Sequence, residues 1–405
     1  MGPIGLPGRR GVGRPTMRIA AILVGALLWL APRIADAEPG EMACGQEPGN
    51  RFFWIERAFC DLPPNGPERA HGVVIWNHGI SGTTQSWMAP APPVFRLLQS
   101  RGWDVIMVKR HHLAETAPGN TLYRTVQRTL EEAAASRKLG YRRVVLAGQS
   151  FGGYVTLEAV DTSPDIDAAV AFAPGVRFQS PTSSLDPTIT DRIIRRAKVG
   201  RLALVFPKDD EAFGYAIRGP SAQVILTRRA LPYLLLDETS GLTGHGGGVT
   251  GRFALRYGLC LAGFLAAPSL PAERFTCPPV ADDWLIVREL LLPSTAEPPK
   301  FVREASTFPD PVGALMGPRW AVLGDTVVLV APVDGGAGRL RLMYRSTGFG
   351  SAMLDAEIKE GGIRAMLSNK STVTLKPGRE DTITWTSSDG SRSLTGPLVR
   401  GRDDP

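Results

Sequence analysis

One segment of the chain has residue types and an order suited to nucleophilic catalysis: Gly148-Gln149-Ser150-Phe151-Gly152-Gly153. It follows the apolar run Arg143–Ala147 (RVVLA) and precedes an amphipathic stretch that begins at Tyr154. This is G-x-S-x-G between a strand and a helix, the setting in which the motif has a physical meaning. A serine on a sharp strand-to-helix turn sits in a strained backbone conformation, with its hydroxyl held clear at the edge of the sheet. The glycines on either side leave room for neighbouring backbone, and the helix amino terminus behind the serine favours developing negative charge. Ser150 is the expected nucleophile; an ordinary βα turn is the plain alternative.

A serine hydroxyl needs a base, and the base needs an acid to orient it. The chain has 5 His, so the search is short. His71 precedes the first strong apolar run and His78 ends it, while His111 and His112 follow the next. His245 lies in Ser240-Gly241-Leu242-Thr243-Gly244-His245-Gly246-Gly247-Gly248, after the last core run. A histidine in a glycine-rich loop at a strand's carboxyl end can swing over the serine, whereas one at a strand start cannot. His245 is the expected base, against a solvent-exposed loop histidine with no role. His245-Gly246-Gly247-Gly248 also matches an H-G-G-G oxyanion signature, but that signature has to precede the nucleophile, and this copy follows it.

The order Ser…Asp…His places the acid between Ser150 and His245. There the run Leu202–Phe206 leads straight into Pro207-Lys208-Asp209-Asp210-Glu211. Asp210 is preferred to Asp209, Glu211 is a distant third, and a solvated acidic turn is the bland reading. Acyl transfer also needs two backbone donors for the oxyanion. One is the N–H of Phe151, directly after the nucleophile. The other is expected from Ile80, in the loop Asn77-His78-Gly79-Ile80-Ser81-Gly82. His78 reads as a buttress of that loop, and His111 and His112 either line the substrate pocket or face solvent.

These residues must be positioned by a sheet. Between Arg51 and about Ala281, short apolar runs alternate with amphipathic stretches, which predicts βα units and a mainly parallel sheet. Strands are expected at Val73–Trp76, Val105–Val108, Val144–Ala147, Ala168–Ala173, Leu202–Phe206 and Tyr233–Leu236. Helices are expected around Val94–Ser100, Thr121–Leu139, Gly153–Asp161, Thr188–Lys198, Ser221–Arg229 and Val249–Leu265. Asn120 reads as the N-cap of the second helix and Gly140 as its stop.

The expected organisation is a leader over 1–37, an α/β domain over 38–290, a Pro-rich linker over 291–311 and a β-rich domain over 312–400. The last is an antiparallel module of short β-branched segments separated by turn dipeptides, with sandwich and small barrel both open. It contains neither His nor Cys. Its Trp320, Tyr344 and Trp385 could form a carbohydrate-stacking face, although aromatics in strands more often pack against neighbouring strands.

Composition narrows the setting. Apolar residues make up 43% and charged residues 21% of the 405, which supports a buried core and excludes wholesale disorder. Gly 45 and Pro 34 without a three-residue period exclude collagen and predict many turns. Ile19–Ala31 is an unbroken apolar stretch after a basic segment, followed by Ala35-Asp36-Ala37. As a helix it would span about 20 Å, short of a hydrocarbon core of about 30 Å, so a cleaved export signal is expected rather than a stable membrane span. Cleavage after Ala37 would remove five arginines and one aspartate, and with them more than half of the formal charge of +7. The remaining surplus is weak and forms no stripe, so a nucleic-acid partner is not expected.

A secreted or periplasmic setting makes Cys44–Cys60 and Cys260–Cys277 the expected disulfides, each worth about 3 kcal/mol on the loop-entropy account. Free buried thiols are the alternative, and the spacing argues against zinc.

Together, Asn77-His78-Gly79, Gly148-Gln149-Ser150-Phe151-Gly152-Gly153, the acids Asp209 and Asp210, and His245 followed by a helix resemble the α/β-hydrolase superfamily. The likeness is to its serine-esterase, dienelactone-hydrolase-like branch and covers roughly residues 50–270. It implies an eight-stranded, mostly parallel sheet with helices on both faces, hydrolysis of a small-molecule ester or amide through an acyl-enzyme, and no metal or organic cofactor. Pro207 stands where the family has a glycine, and Ser150 where dienelactone hydrolases proper have cysteine, so their substrate does not carry over. Gly175–Asp191 leaves space only for a short excursion over the site. A carboxylic ester hydrolase is the leading expectation. A serine peptidase of the same fold and a non-catalytic binding protein on a hydrolase scaffold are its rivals, and the oligomeric state is open.

Overall fold

The computed structural model describes residues 52–60, 62–80, 86–111, 121–163, 165–175, 187–214, 217–277, 312–321, 326–332, 340–346, 350–367, 369–379 and 381–400. The expected leader, Asn120, His112 and the Pro-rich linker lie outside the described residues.

Seven strands form the first sheet: β1 (Phe53–Arg57), β2 (Gly72–Asn77), β3 (Trp103–Arg110), β4 (Val144–Gln149), β5 (Ala168–Phe172), β6 (Arg201–Val205) and β7 (Tyr233–Leu236). Their order is β1-β3-β2-β4-β5-β6-β7. Only β1 is antiparallel to its neighbour, with Ile55 opposite Val108; β2 to β7 are all parallel. The resemblance implied eight strands, and seven are present among the described residues. The helices are α1 (Pro93–Ser100), α2 (Thr121–Lys138), α3 (Phe151–Thr162), α4 (Pro187–Arg196), α5 (Arg218–Arg229) and α6 (Gly251–Ala266).

Side-chain alternation explains why the strands read as continuous apolar runs. Along β4, Val145 and Ala147 pack into a layer with Phe95 and Leu97 of α1 and Phe253 and Leu261 of α6. Val144 and Leu146 face the other way, into a layer with Ala133 of α2, Val155 of α3, Ile194 of α4 and Ile225 of α5. Both faces are covered, so both parities of each strand must be apolar. Cys260 of α6 is joined to Cys277, with Cα atoms 5.1 Å apart, which pins the segment after α6 back onto that helix. Cys60 is also disulfide-bonded; Cys44, its expected partner, lies outside the described residues.

The connectivity fixes where a site can form. The chain goes from β2 to β3 on one side, then returns past β2 to lay down β4 on the other side, with Asn77 beside Gly148. Outside the carboxyl ends of β2 and β4 the order reverses, and open parallel sheets place ligands in the crevice at that point.

A second, separate sheet is antiparallel and closes on itself. Its strands are β8 (Gly317–Ala321), β9 (Thr326–Pro332), β10 (Leu340–Ser346), β11 (Gly350–Lys359), β12 (Gly362–Met366), β13 (Thr372–Lys376), β14 (Thr382–Thr386) and β15 (Ser393–Arg400). β15 pairs with β8 to complete a barrel, so of the two forms left open by the sequence the barrel is the one present. Leu342, Ile363, Val373, Leu375 and Ile383 fill its interior, with Trp385 packed against them. Trp385 is partly buried and packs against this interior; the side chains of Trp320 and Tyr344 lie outside the described residues.

Candidate active site

Ser150 stands between β4 and α3 with φ 56° and ψ −122°, a conformation that disfavours any residue with a Cβ. Two hydrogen bonds to β5 and the segment after it hold it there. Its N–H donates to the Phe172 carbonyl at 2.9 Å, and its own carbonyl accepts from the N–H of Gly175 at 3.1 Å. The flanking glycines are required by close approach. A Cβ built at Gly148 would lie 2.1 Å from the Gly152 carbonyl oxygen, and one at Gly152 would lie 2.0 Å from that of Asn77. Backbone, not a movable side chain, blocks each position. Gly152→Ala is therefore expected to cost about 3 kcal/mol of stability, read as the shift in urea unfolding. Gly263→Ala serves as the control, since no atom lies within 4 Å of a Cβ there; it should be neutral or stabilise by up to about 1 kcal/mol. Equal effects at the two positions would refute the close-approach reading.

His245 lies in the loop before α6, and its Nδ1 is 3.0 Å from Oδ1 of Asp210. Of the three acids after β6, Asp210 is buried whereas Asp209 and Glu211 are exposed. The main chain explains the difference: Asp209 has φ 56°, and its side chain leaves the sheet while the next one turns in. Oδ1 of Asp210 also accepts from the N–H groups of Ala212 at 2.9 Å and Phe213 at 3.0 Å. Burial pushes the Asp210 carboxyl up, but the hydrogen bond and charge of His245 and these two backbone donors outweigh it, and the net shift is below the ordinary aspartate value. The Phe213 ring meets the imidazole edge-on with centroids 5.1 Å apart.

Gln149 and Arg218, to which the sequence assigned no role, and Glu211, its third candidate acid, tie these parts together. Gln149, the first variable position of the motif, donates from Nε2 to the His245 carbonyl at 3.3 Å, while Glu211 accepts the His245 N–H at 3.1 Å. The His245 backbone is thus held both from Gln149, beside Ser150, and from the turn after β6. Arg218, at the start of α5, is buried with Nη1 3.7 Å from Oδ2 of Asp210. It donates to the Pro174 carbonyl and lies over the Phe206 ring at 4.6 Å. Burial lowers its pKa to about 10, against the opposing pull of Asp210 and Asp191, so it remains a cation at neutral pH. The Asp210 carboxylate is accordingly held between an imidazole and a guanidinium.

The expected oxyanion donors sit at two chain ends that meet. Phe151 opens α3. Ile80 follows β2 and is partly exposed, and a Cβ built on its neighbour Gly79 would lie 3.3 Å from the Ser150 Cβ. His78 buttresses this loop. The backbone N–H of Arg110 donates to its Nε2 at 3.1 Å, so the ring proton is on Nδ1, which faces the Gly79 carbonyl at 2.7 Å. Burial first, then the charge of Arg110, hold its pKa well below the usual value despite the opposing Gly79 hydrogen bond.

His78 is therefore neutral when folded, whereas the unfolded chain takes up a proton there below about pH 6.5. Stability rises with pH wherever the unfolded state binds more protons, so this group makes stability fall on acidification, by at most about 1.4 kcal/mol per pH unit below 6.5. Urea unfolding at about pH 7.5, 6.5 and 5.5 should give a steeper loss for the natural chain than for His78→Gln. Parallel slopes would show that His78 is not held neutral.

Of the other histidines, His71 lies near Trp103, at the strands' amino ends and away from this crevice. The N–H of His111 donates to the Phe52 carbonyl at 2.9 Å. Residues 176–186, the bulk of the expected short excursion, lie outside the described residues. Among the described residues no helix is long and apolar enough to cross a membrane.

Residues 72–214 match the family model described as alpha/beta hydrolase fold. Similar solved structures include an alpha/beta-superfamily protein from Xanthomonas campestris pv. campestris, at 22% identity over 48% of this chain and 96% of that one, with a TM-score of 0.32. An esterase from Pyrococcus furiosus shares 14% identity over 48% of this chain and 80% of its own, with a TM-score of 0.35. A puromycin-hydrolyzing peptidase from Mycobacterium tuberculosis shares 19% over 54% of this chain and 36% of its own, with a TM-score of 0.36. No curated protein matches the chain.

Proposed function

Given an α/β-hydrolase fold in the seven-stranded part of the chain, we propose that the protein is a serine hydrolase that cleaves a carboxylic ester of a small molecule through an acyl-enzyme. Ser150, His245 and Asp210 form its triad. The observation that carries this reading is a strained serine at the head of α3, with the loop of a carboxylate-bound histidine tied to the residue beside it.

The proposed triad would act in the ordinary order of acyl transfer. His245 takes the Ser150 proton as Oγ attacks the ester carbonyl, and Asp210 stabilises the imidazolium and keeps its Nδ1 protonated. The N–H groups of Phe151 and Ile80 receive the oxyanion. His245 then returns the proton to the departing alcohol, and a water repeats the sequence to release the acid. The export-signal pattern at the amino terminus and the Cys260–Cys277 bridge support a secreted or periplasmic location.

The test is covalent labelling with an alkyl fluorophosphonate, which loses fluoride as its phosphorus bonds to an activated serine oxygen. Stoichiometric labelling at Ser150, with turnover of short p-nitrophenyl esters, is expected at neutral pH. Folded protein that neither labels nor hydrolyses any ester of the series would overturn the reading.

A further inference from the structure

We propose that Arg110 is a positioning residue that fixes both oxyanion donors and strengthens one of them; this rests on the serine-hydrolase reading above. Arg110 ends β3, next to β2 in the sheet, and is fully buried. A buried guanidinium is costly unless it is well partnered, so its contacts indicate what it is for. Nη2 donates to the carbonyl of His78 at 2.5 Å and to that of Gly79 at 3.0 Å. The guanidinium also lies over the Phe151 ring, 5.0 Å from its centroid. One side chain thus touches both segments that supply the oxyanion donors.

The Gly79 contact matters because of peptide chemistry. The Gly79 carbonyl and the Ile80 N–H are opposite ends of one planar peptide group. Fixing the carbonyl fixes the direction of the N–H. Donating a charge-assisted hydrogen bond to that oxygen also draws electron density from the nitrogen and makes its proton a better donor, the polarisation expected in a hydrogen-bonded chain. His78 adds a second donor to the same oxygen at 2.7 Å. On the other side, the ring stacked on the guanidinium holds the first residue of α3.

The preceding residue does the matching job at the far end of the same loop. Lys109, also buried, donates from Nζ to the carbonyls of Trp87 at 2.6 Å and Ala89 at 3.2 Å. It is 3.6 Å from Glu56 of β1. Alternation along β3 sends the two cations to opposite faces of the sheet, so consecutive residues clamp both ends of the chain between β2 and α1. Arg110 holds the end that carries the donor.

The experiment compares Arg110→Met and Arg110→Lys with the natural full-length chain. It measures kcat and KM on a p-nitrophenyl ester, the affinity for a boronic acid that adds to the serine as a tetrahedral adduct, and thermal unfolding. Losing one oxyanion donor typically costs about 10²–10³ in kcat. Arg110→Met is expected to lose about 10²-fold in kcat with KM within about threefold, and boronate affinity should fall in step with kcat/KM. Arg110→Lys should recover part of both, because an ammonium can still hold one carbonyl but cannot fork and stack.

A folded Arg110→Met with kcat within about threefold of the natural chain overturns the proposal. So does a loss of kcat with unchanged boronate affinity. If Arg110→Met does not fold, Arg110→Lys decides by the same two criteria. Ser150 labelling separates the two levels of the argument: absence of labelling in the natural chain removes the serine-hydrolase reading itself. Full labelling there, with Arg110 variants as fast as the natural chain, removes only the role of Arg110.

Discussion

Ser150→Ala is expected to lower kcat on p-nitrophenyl esters by about 10⁶-fold, with KM little changed and unfolding nearly unchanged. Triad members act as a unit, and removing the nucleophile costs about as much as removing all of them. What remains, about 10³–10⁴ over the uncatalysed reaction, comes from binding and the oxyanion donors. Alanine keeps the Cβ, so the backbone at φ 56° stays as strained as before. Ser150→Gly would relieve that strain and should be more stable than Ser150→Ala by about 1 kcal/mol, while equally inactive. This pairing makes the test specific. Loss of activity in two variants, one of them at least as stable as the natural chain, cannot be put down to unfolding. Turnover within about tenfold of the natural chain would show that the strained serine is not the nucleophile.

Ser150 and His245 stand out in the sequence as candidates for different reasons. The serine stands out because its motif needs a strand before it and a helix after it, and β4 and α3 carry apolar periodicities strong enough to be read directly. The histidine stands out by scarcity and by its loop. For the acid, the turn was readable and Asp210 only preferred within it, because adjacent positions in a turn have no periodicity to rank them. The positive φ at Asp209, which puts Asp210 inside, is a property of the folded chain.

Gln149 was invisible because the motif leaves its position free. Arg110 and Arg218 were invisible because residue type assigns arginine to the surface, and only the tertiary fold brings carbonyls, aromatic rings and a carboxylate around them. β1 was missed since a five-residue edge strand ending in Glu56 and Arg57 has too little apolar pattern to be told from a loop. Barrel closure depends on β15 returning to β8 across the whole module, a pairing that no local run of residues encodes.

Asp210→Asn carries the second large expected effect, about 10⁴-fold in kcat, the scale set by loss of the correct imidazole tautomer. The surroundings leave the amide no good orientation. With its oxygen toward Nδ1 of His245, its NH₂ group points at the guanidinium of Arg218, which sits 3.7 Å from that side of the natural carboxylate. With its nitrogen toward His245, it forces the imidazole to accept on Nδ1 and so to carry its proton on the face that should receive the serine's. It then also faces the N–H groups of Ala212 and Phe213, which the natural Oδ1 accepts. Asp209→Asn is the matched control. Its side chain is exposed, and asparagine tolerates positive φ, so kcat should stay within about twofold. Against burial, which raises it, the hydrogen bond and charge of His245 and two backbone donors hold the Asp210 carboxyl below its ordinary value. An acid limb in the natural chain's pH profile above the ordinary aspartate range therefore reports another group. If Asp209→Asn proved the more damaging of the two, the acid would be misassigned and the Asp210–Arg218 pair would be a structural ion pair only.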